Sequence, residues 1–328
     1  MLNNAEVVSQ SHWTEALKVV ACTRCKASLS LIKTSVGKHL YCDNCGIYYP
    51  IQNGIIRMLK EDDRYLQVGK DWDEAAKFDH IRAAAAISKE SVESPFVKMP
   101  PLLPEKLLCN KVYLDLGCGY GRTLIPHAKQ GTKISLGIDI SSVMLDRAME
   151  LCRQYEANCI LVHGDILDMP FQDNSFDTVY STAVMLHLDN DSARKVMSEI
   201  KRLLKPGGKV FLIDSFPNKW HLWRLLSLPE KLVSLIMRHL RYYHRGIFGR
   251  FYTYSQVMHV FNGFSKINIF PTNYQLLPKN VGRFGVPFRD KVKSINEKFS
   301  RTIKLRQGKK KYRLLNCLAV HFDVEATL

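Results

Sequence analysis

The sequence predicts an α/β protein: a doubly wound, mostly parallel sheet preceded by a small metal-bound domain. Three observations predict it. Apolar runs of strand length alternate with helical stretches from Val112 to Ile213, and such alternation builds parallel sheets with helices on both faces. The first run, Val112-Tyr-Leu-Asp-Leu116, passes at once into Gly117-Cys-Gly-Tyr-Gly121 and then Thr123-Leu-Ile125, the order strand, tight turn, helix. Ahead of these stand two C-x2-C pairs, Cys22/Cys25 and Cys42/Cys45, with sixteen residues between them.

The N-terminal element rests on the cysteines. Of nine, five (Cys109, Cys118, Cys152, Cys159 and Cys317) are scattered. Two C-x2-C knuckles at this separation read as a four-thiolate zinc site, with the Lys38-His-Leu-Tyr41 strand returning the chain so that the sulfurs converge. A disulfide framework is disfavoured by the odd total and by the lack of an export signal. Four thiolates fill the tetrahedron, so His39 is not needed and no open position remains for catalysis. Zinc here is expected to be structural, supplying folding energy to a domain with little core, residues 1–60. Residues 61–105 start acidic, turn helical from Trp72 to Ile87, and end at Pro95, Pro100, Pro101 and Pro104, the signature of a linker.

The sheet elements follow in order. Glycines 117, 119 and 121 let the backbone approach a ligand, and the helix start behind them presents unpaired N–H groups. Eighteen residues past Gly121, Asp139 ends a second strand, Ser135–Asp139. An acid there accepts bonds from ribose hydroxyls in dinucleotide-binding sheets. The third strand, Cys159–His163, runs into Gly164-Asp165, where an acid can meet an adenine amine. The fourth is Phe176–Ser181, then a helix, Ala193–Leu204, the turn Lys205-Pro-Gly-Gly208, and a fifth strand, Lys209–Ile213. Gly117, Asp139, Asp165 and Ser181 all fall at carboxyl ends of strands, where open α/β sheets bind ligands.

These motifs, in this order, resemble those of the class I S-adenosylmethionine-dependent methyltransferases over roughly residues 106–214. The glycines are G-x-G-x-G, not the G-x-G-x-x-G more usual in nicotinamide dehydrogenases. The resemblance implies a seven-stranded Rossmann-like sheet within residues 106–328 and S-adenosyl-L-methionine as cofactor. It places Asp115, Gly117, Cys118, Gly119 and Gly121 at the methionine end and Asp139 on the ribose. Ile140 and Met144 pack the adenine, Asp165 and Ile166 hold its amine side, and Ser181 borders the methionine. The helix before the first strand often forms a lid in these enzymes. Tyr65, Trp72 and Phe78 could serve there, or could anchor a connecting helix. The run Cys42 to Ile56, with Tyr49-Pro-Ile51 and Gly54-Ile55, is similar to the small zinc-ribbon partner proteins of tRNA- and protein-modifying methyltransferases.

The C-terminal elements are set by charge. Phe216 to Arg313 holds eleven lysines and ten arginines against Glu230, Asp290 and Glu297, a net +18 in a chain of total +16. A basic, aromatic-rich helical insert at about 216–260 follows the fifth strand, then a sixth strand at Lys266–Phe270, a basic hairpin at Arg289–Arg313 and a seventh strand at Leu314–Phe322. The region reads as the roof of a pocket for a small-molecule or lipid-like acceptor, as a peripheral contact with an anionic membrane, as an RNA-binding face, or as a solvated basic surface. Its leucines and its continuity with the fold favour the first. Without a leader-like start or a long apolar run, the expectation is a cytoplasmic protein, with peripheral attachment at the membrane surface as the variant. The oligomeric state is not written in the sequence.

A sulfonium methyl is already activated, so alignment is the main task, and a general base is needed only if the acceptor must lose a proton. His187, just past the fourth strand, is the catalytic candidate, against a packing role; His163 lies beside Asp165. Asp189 and Asp191 read as caps of the helix that follows. The run Ser181-Thr-Ala-Val184 lacks the Asn-Pro-Pro-Tyr type signature of amino methylation. A non-catalytic scaffold is the contrasting reading, opposed by the intact glycines and acids.

Overall fold

The computed structural model describes residues 10–59, 67–74, 76, 102–217, 252–272, 295 and 321–328. Tyr65, Phe78, most of the expected insert and the basic hairpin lie outside the described residues. The elements are α1 (Gln10–Leu17), β1 (Ser30–Thr34), β2 (Gly37–Cys42), β3 (Ile47–Gln52), β4 (Ile55–Arg57), α2 (67–74), β5 (Val112–Leu116), α3 (Leu124–Ala128), β6 (Ile134–Asp139), α4 (Ser142–Gln154), β7 (Cys159–His163), β8 (Phe176–Thr182), α5 (Asn190–Leu203), β9 (Leu204–Pro217), α6 (Tyr254–Val260), β10 (Lys266–Thr272) and β11 (His321–Thr327).

The sheet corrects one expectation. It is mixed and eleven-stranded, in the order β1-β2-β3-β4-β7-β6-β5-β8-β9-β11-β10, rather than seven-stranded. The expected strands occupy one end, and the cysteine-bearing strands extend it. The join is β4, which pairs in parallel with β7 through Ile55↔Leu161, Ile56↔Val162 and Arg57↔His163. Strands from β4 to β9 across the middle run parallel, with antiparallel flanks on both sides.

Parallel strands covered on both faces read as near-continuous apolar runs, and the core follows that rule. Leu114, Leu116, Leu136, Ile138, Ile160 and Val162 face one layer, which also takes in Val20, Leu40 and Ile56 from the cysteine domain and Val196 and Ile200 from α5. Tyr113, Leu161 and Tyr180 face the other, against Leu124, Leu145 and Ala148 of α3 and α4. The cysteine domain is tied further by Val20↔Phe171, an antiparallel bridge, and by Lys26 Nζ on Asp168 Oδ1 at 2.6 Å.

The expected turn Lys205–Gly208 is instead a bulge inside β9, where the register with β8 shifts between Phe176 and Thr178. The last strand begins at His321 among the described residues, and 314–320 lie outside them. Among the described residues, no helix is long and apolar enough to cross a membrane.

Candidate active site

A cavity of about 650 Å³ opens where β5, β6, β7 and β8 end. Its walls are Gly117, Cys118 and Gly119 after β5; Asp139, Ile140 and Met144 from β6 and α4; and Asp165, Ile166 and Leu167 after β7. Thr182, Ala183, Val184, His187 and Leu188 follow β8, and Val68 and Trp72 of α2 close the side. Eight of the eleven proposed cofactor residues therefore share one cavity.

The glycine turn is held by sterics. Gly117 has φ +64°, and a Cβ there would sit 2.5 Å from Val184 Cγ2. The turn and the second strand meet at Asp139, whose carboxyl group is buried. Its Oδ2 accepts from Gly119 N at 2.8 Å and its Oδ1 from Ser141 N at 2.9 Å. Burial raises its pKa despite these two bonds. Asp165 Oδ1 accepts from Leu167 N at 2.9 Å, which fixes the loop after β7 beside it.

The other three proposed cofactor residues lie beneath the wall. Asp115, on the α3 side of β5, accepts from Thr123 Oγ1 at 2.6 Å. Burial outweighs that bond and pushes its carboxyl up to about 7, with Asp139 adding in the same direction. Gly121 faces Ile125 and Ala148. Ser181 Oγ donates to Leu116 O at 2.9 Å, tying β8 to β5. Strand alternation explains the placement of Asp115 and Ser181, because neighbouring residues point to opposite faces and the cavity is walled by the last strand residues, Asp139 and Thr182, and by the loops beyond them.

His187 ends a short 3-10 turn, Met185–His187, and lines the cavity. Its ring meets Trp72 edge-on at 5.0 Å. Its Nδ1 is buried without a hydrogen-bond partner, and burial lowers its pKa. Tyr252, from beyond β9, pins this turn by donating to Met185 O at 2.9 Å. His163 does not reach the cavity: its Nε2 lies 3.0 Å from Ile140 O. Asp189 caps α5 by accepting from Ser192 N at 2.7 Å.

Reading the sequence alone misses Val68, Arg122, Thr123, Leu167, Val184, Leu188 and Ser192 as cavity residues. Arg122, Thr123 and Leu167 directly adjoin recognised motifs and could have been inferred from them. Val68 carries no local signal.

Among the strands that extend the sheet beyond β7, the sulfurs of Cys22, Cys25, Cys42 and Cys45 lie within 4.8 Å of one another. Tetrahedral thiolates about 2.3 Å from zinc need edges of about 3.8 Å, so the group fits that ion. The residue after each knuckle, Lys26 at φ 57° and Gly46 at φ 67°, takes the left-handed turn that folds the pair inward. The Tyr49 hydroxyl lies 3.2 Å from Cys22 Sγ and accepts from Thr23 N at 3.1 Å, bracing the first knuckle.

Residues 114–208 match the methyltransferase domain family, and residues 15–54 match the Trm112p-like protein family. The chain is 36% identical over 107 residues to sterol 4-C-methyltransferase strm-1 of Caenorhabditis elegans, a match covering 31% of this chain and 30% of that protein. It is 31% identical over 108 residues to O-methyltransferase rstn1 of Aspergillus nomiae, covering 31% of this chain and 46% of that one. Among solved structures, phosphoethanolamine N-methyltransferase 2 of Haemonchus contortus with S-adenosyl-L-methionine shares 19% identity at TM-score 0.41, covering 72% of this chain and 50% of that one. These matches span half or less of each relative's length.

Proposed function

We propose that this chain, a methyltransferase domain fused to a Trm112p-like zinc module, transfers a methyl group from S-adenosylmethionine to a small-molecule or lipid-like acceptor, on oxygen or carbon. The observation that carries the reading is Asp139. Two backbone N–H groups hold its carboxylate at the cavity, between the glycine turn and an apolar slot of Ile140, Met144 and Ile166. That combination suits a nucleoside: hydroxyls on the acid, a flat base between side chains, and Asp165 beside the base.

Bound S-adenosylmethionine supplies a methyl group on a positively charged sulfur, already activated for transfer. The chain's residues hold and align. Gly117 and Gly119 leave room for the methionine end against the turn, and the carboxyl of Asp115 lies beneath it. Val68, Trp72, Val184 and Leu188 give the acceptor side an apolar wall. His187 lines that wall, burial favours its neutral form, and its imidazole is the candidate to accept a proton from an acceptor hydroxyl. The four cysteines would hold a structural zinc among the strands that extend the sheet beyond β7, with no coordination position left over for this chemistry.

The test is transfer of labelled methyl from S-adenosylmethionine to fractionated cell extract. Label in the organic-soluble or small-molecule fraction supports the acceptor class. Label confined to RNA overturns that class, and no label in any fraction overturns the reaction.

A further inference from the structure

We infer that Asp73 latches α2 over the cofactor cavity, and so sets how long the nucleoside stays bound. The inference rests on the cofactor reading above. Helix α2 presents Val68 and Trp72 to the cavity, four residues apart on one face. One set of contacts that holds the helix there is polar and local. Asp73 Oδ1 accepts from Ser141 Oγ at 2.6 Å and from Val143 N at 3.2 Å, and its Oδ2 accepts from Ser142 Oγ at 3.2 Å. All three donors sit at the start of α4, a thirteen-residue helix whose N-terminus favours a negative charge.

The latch meets the ribose site at one residue. Ser141 donates its hydroxyl to Asp73 and its backbone N–H to Asp139 Oδ1, while its Oγ caps α4 by accepting from Met144 N at 3.1 Å. Two further contacts line the helix up. Gly69 lies so close to the Ile140 carbonyl that a Cβ would come within 3.3 Å of that oxygen. Tyr120 Oη donates to Ala76 O at 3.0 Å. The helix therefore rests on the turn after β5 and the loop after β6, the two elements proposed to hold the nucleoside. Of these contacts Asp73 alone is charged and makes three bonds, so it is the one whose loss frees the helix. Because Trp72 also meets His187 edge-on, release would loosen the acceptor wall with the cofactor wall.

The experiment is stopped-flow release of S-adenosylhomocysteine, followed by tryptophan fluorescence, with melting temperature measured alongside. Asp73→Ala is expected to speed release about tenfold, the equivalent of one charge-assisted bond. Asp73→Asn keeps the Ser141 bond and is expected to fall between Asp73→Ala and wild type. Ser142→Ala gives a smaller rise, and the double variant Asp73→Ala/Ser142→Ala is no faster than Asp73→Ala alone, because both break the same contact. Asp71→Ala, which removes only the exposed bond from Gln67 at 2.8 Å, serves as control and leaves release unchanged. Wild-type release rates in Asp73→Asn and Ser142→Ala, or additive effects in the double variant, overturn the latch. If wild type binds no S-adenosylhomocysteine at all, the cofactor reading falls, and the latch with it.

Discussion

Replacing Asp139 with alanine removes more than a ligand contact. The carboxylate accepts two backbone N–H groups, Gly119 at 2.8 Å and Ser141 at 2.9 Å, and both would lose their acceptor. Each bond to a charged group contributes about 1.5–3 kcal/mol. Burial of the carboxyl works against this and raises its pKa, so a net stability loss of about 1–3 kcal/mol is expected. In a chain of this size that lowers the melting temperature by roughly 1–2 °C per kcal/mol. The ribose would lose its charge-assisted bonds as well, weakening cofactor affinity by about 1.5–3 kcal/mol, or roughly ten- to more than a hundredfold. Calorimetric titration with S-adenosylhomocysteine at a temperature where the variant is folded separates the two effects. A folded Asp139→Ala variant with wild-type affinity would refute the ribose role.

Other expectations follow from the same geometry. His187→Gln should lower the rate with a hydroxyl acceptor by about a hundredfold while leaving S-adenosylhomocysteine affinity intact, read from single-turnover transfer beside calorimetry; an unchanged rate leaves His187 a packing residue. Asp115 has its folded pKa raised from 3.8 to about 7, so its contribution to stability is full below pH 4 and is lost as pH rises toward 7. A cationic ligand favours its ionised form, so cofactor binding between pH 6 and 7 should release protons, measured as a buffer-dependent binding enthalpy; equal enthalpies in buffers of different ionisation heat would count against this. Cys42→Ser should reduce bound zinc, and the sheet and cysteine domain should melt together at lower temperature, since Val20, Leu40 and Ile56 share one core with Leu136 and Val162; a separate low-temperature transition with the remainder unmoved would refute that coupling.

The central strands and most of the cavity were legible because their signals are local. Strands β5, β6 and β7 are compact apolar runs ended by a glycine or an acid, and Gly117, Asp139 and Asp165 sit where parallel strands hand over to loops. The cysteine cluster was equally plain from spacing. The fusion of the two parts was not. Ile55-Ile56-Arg57 is too short to announce its pairing with β7, a hundred residues away in sequence, and nothing local chooses that partner. The depth of Asp115 and Ser181 was also hidden. Both stand in the recognised motifs, yet alternation and the bonds to Thr123 and Leu116 turn them away from the cavity. Asp73 was unreadable for a related reason. An acid on an exposed-looking helix gains meaning only when that helix lands on Ser141 and Ser142.

A crystal grown with S-adenosylhomocysteine bears most directly on the proposed nucleoside site. The ribose hydroxyls should lie within hydrogen-bond reach of Asp139, with the adenine between Ile140 or Met144 and Ile166 and its amine toward Asp165. A nucleoside bound elsewhere, or a cavity that takes none while Asp139 stays clamped by Gly119 and Ser141, would contradict it.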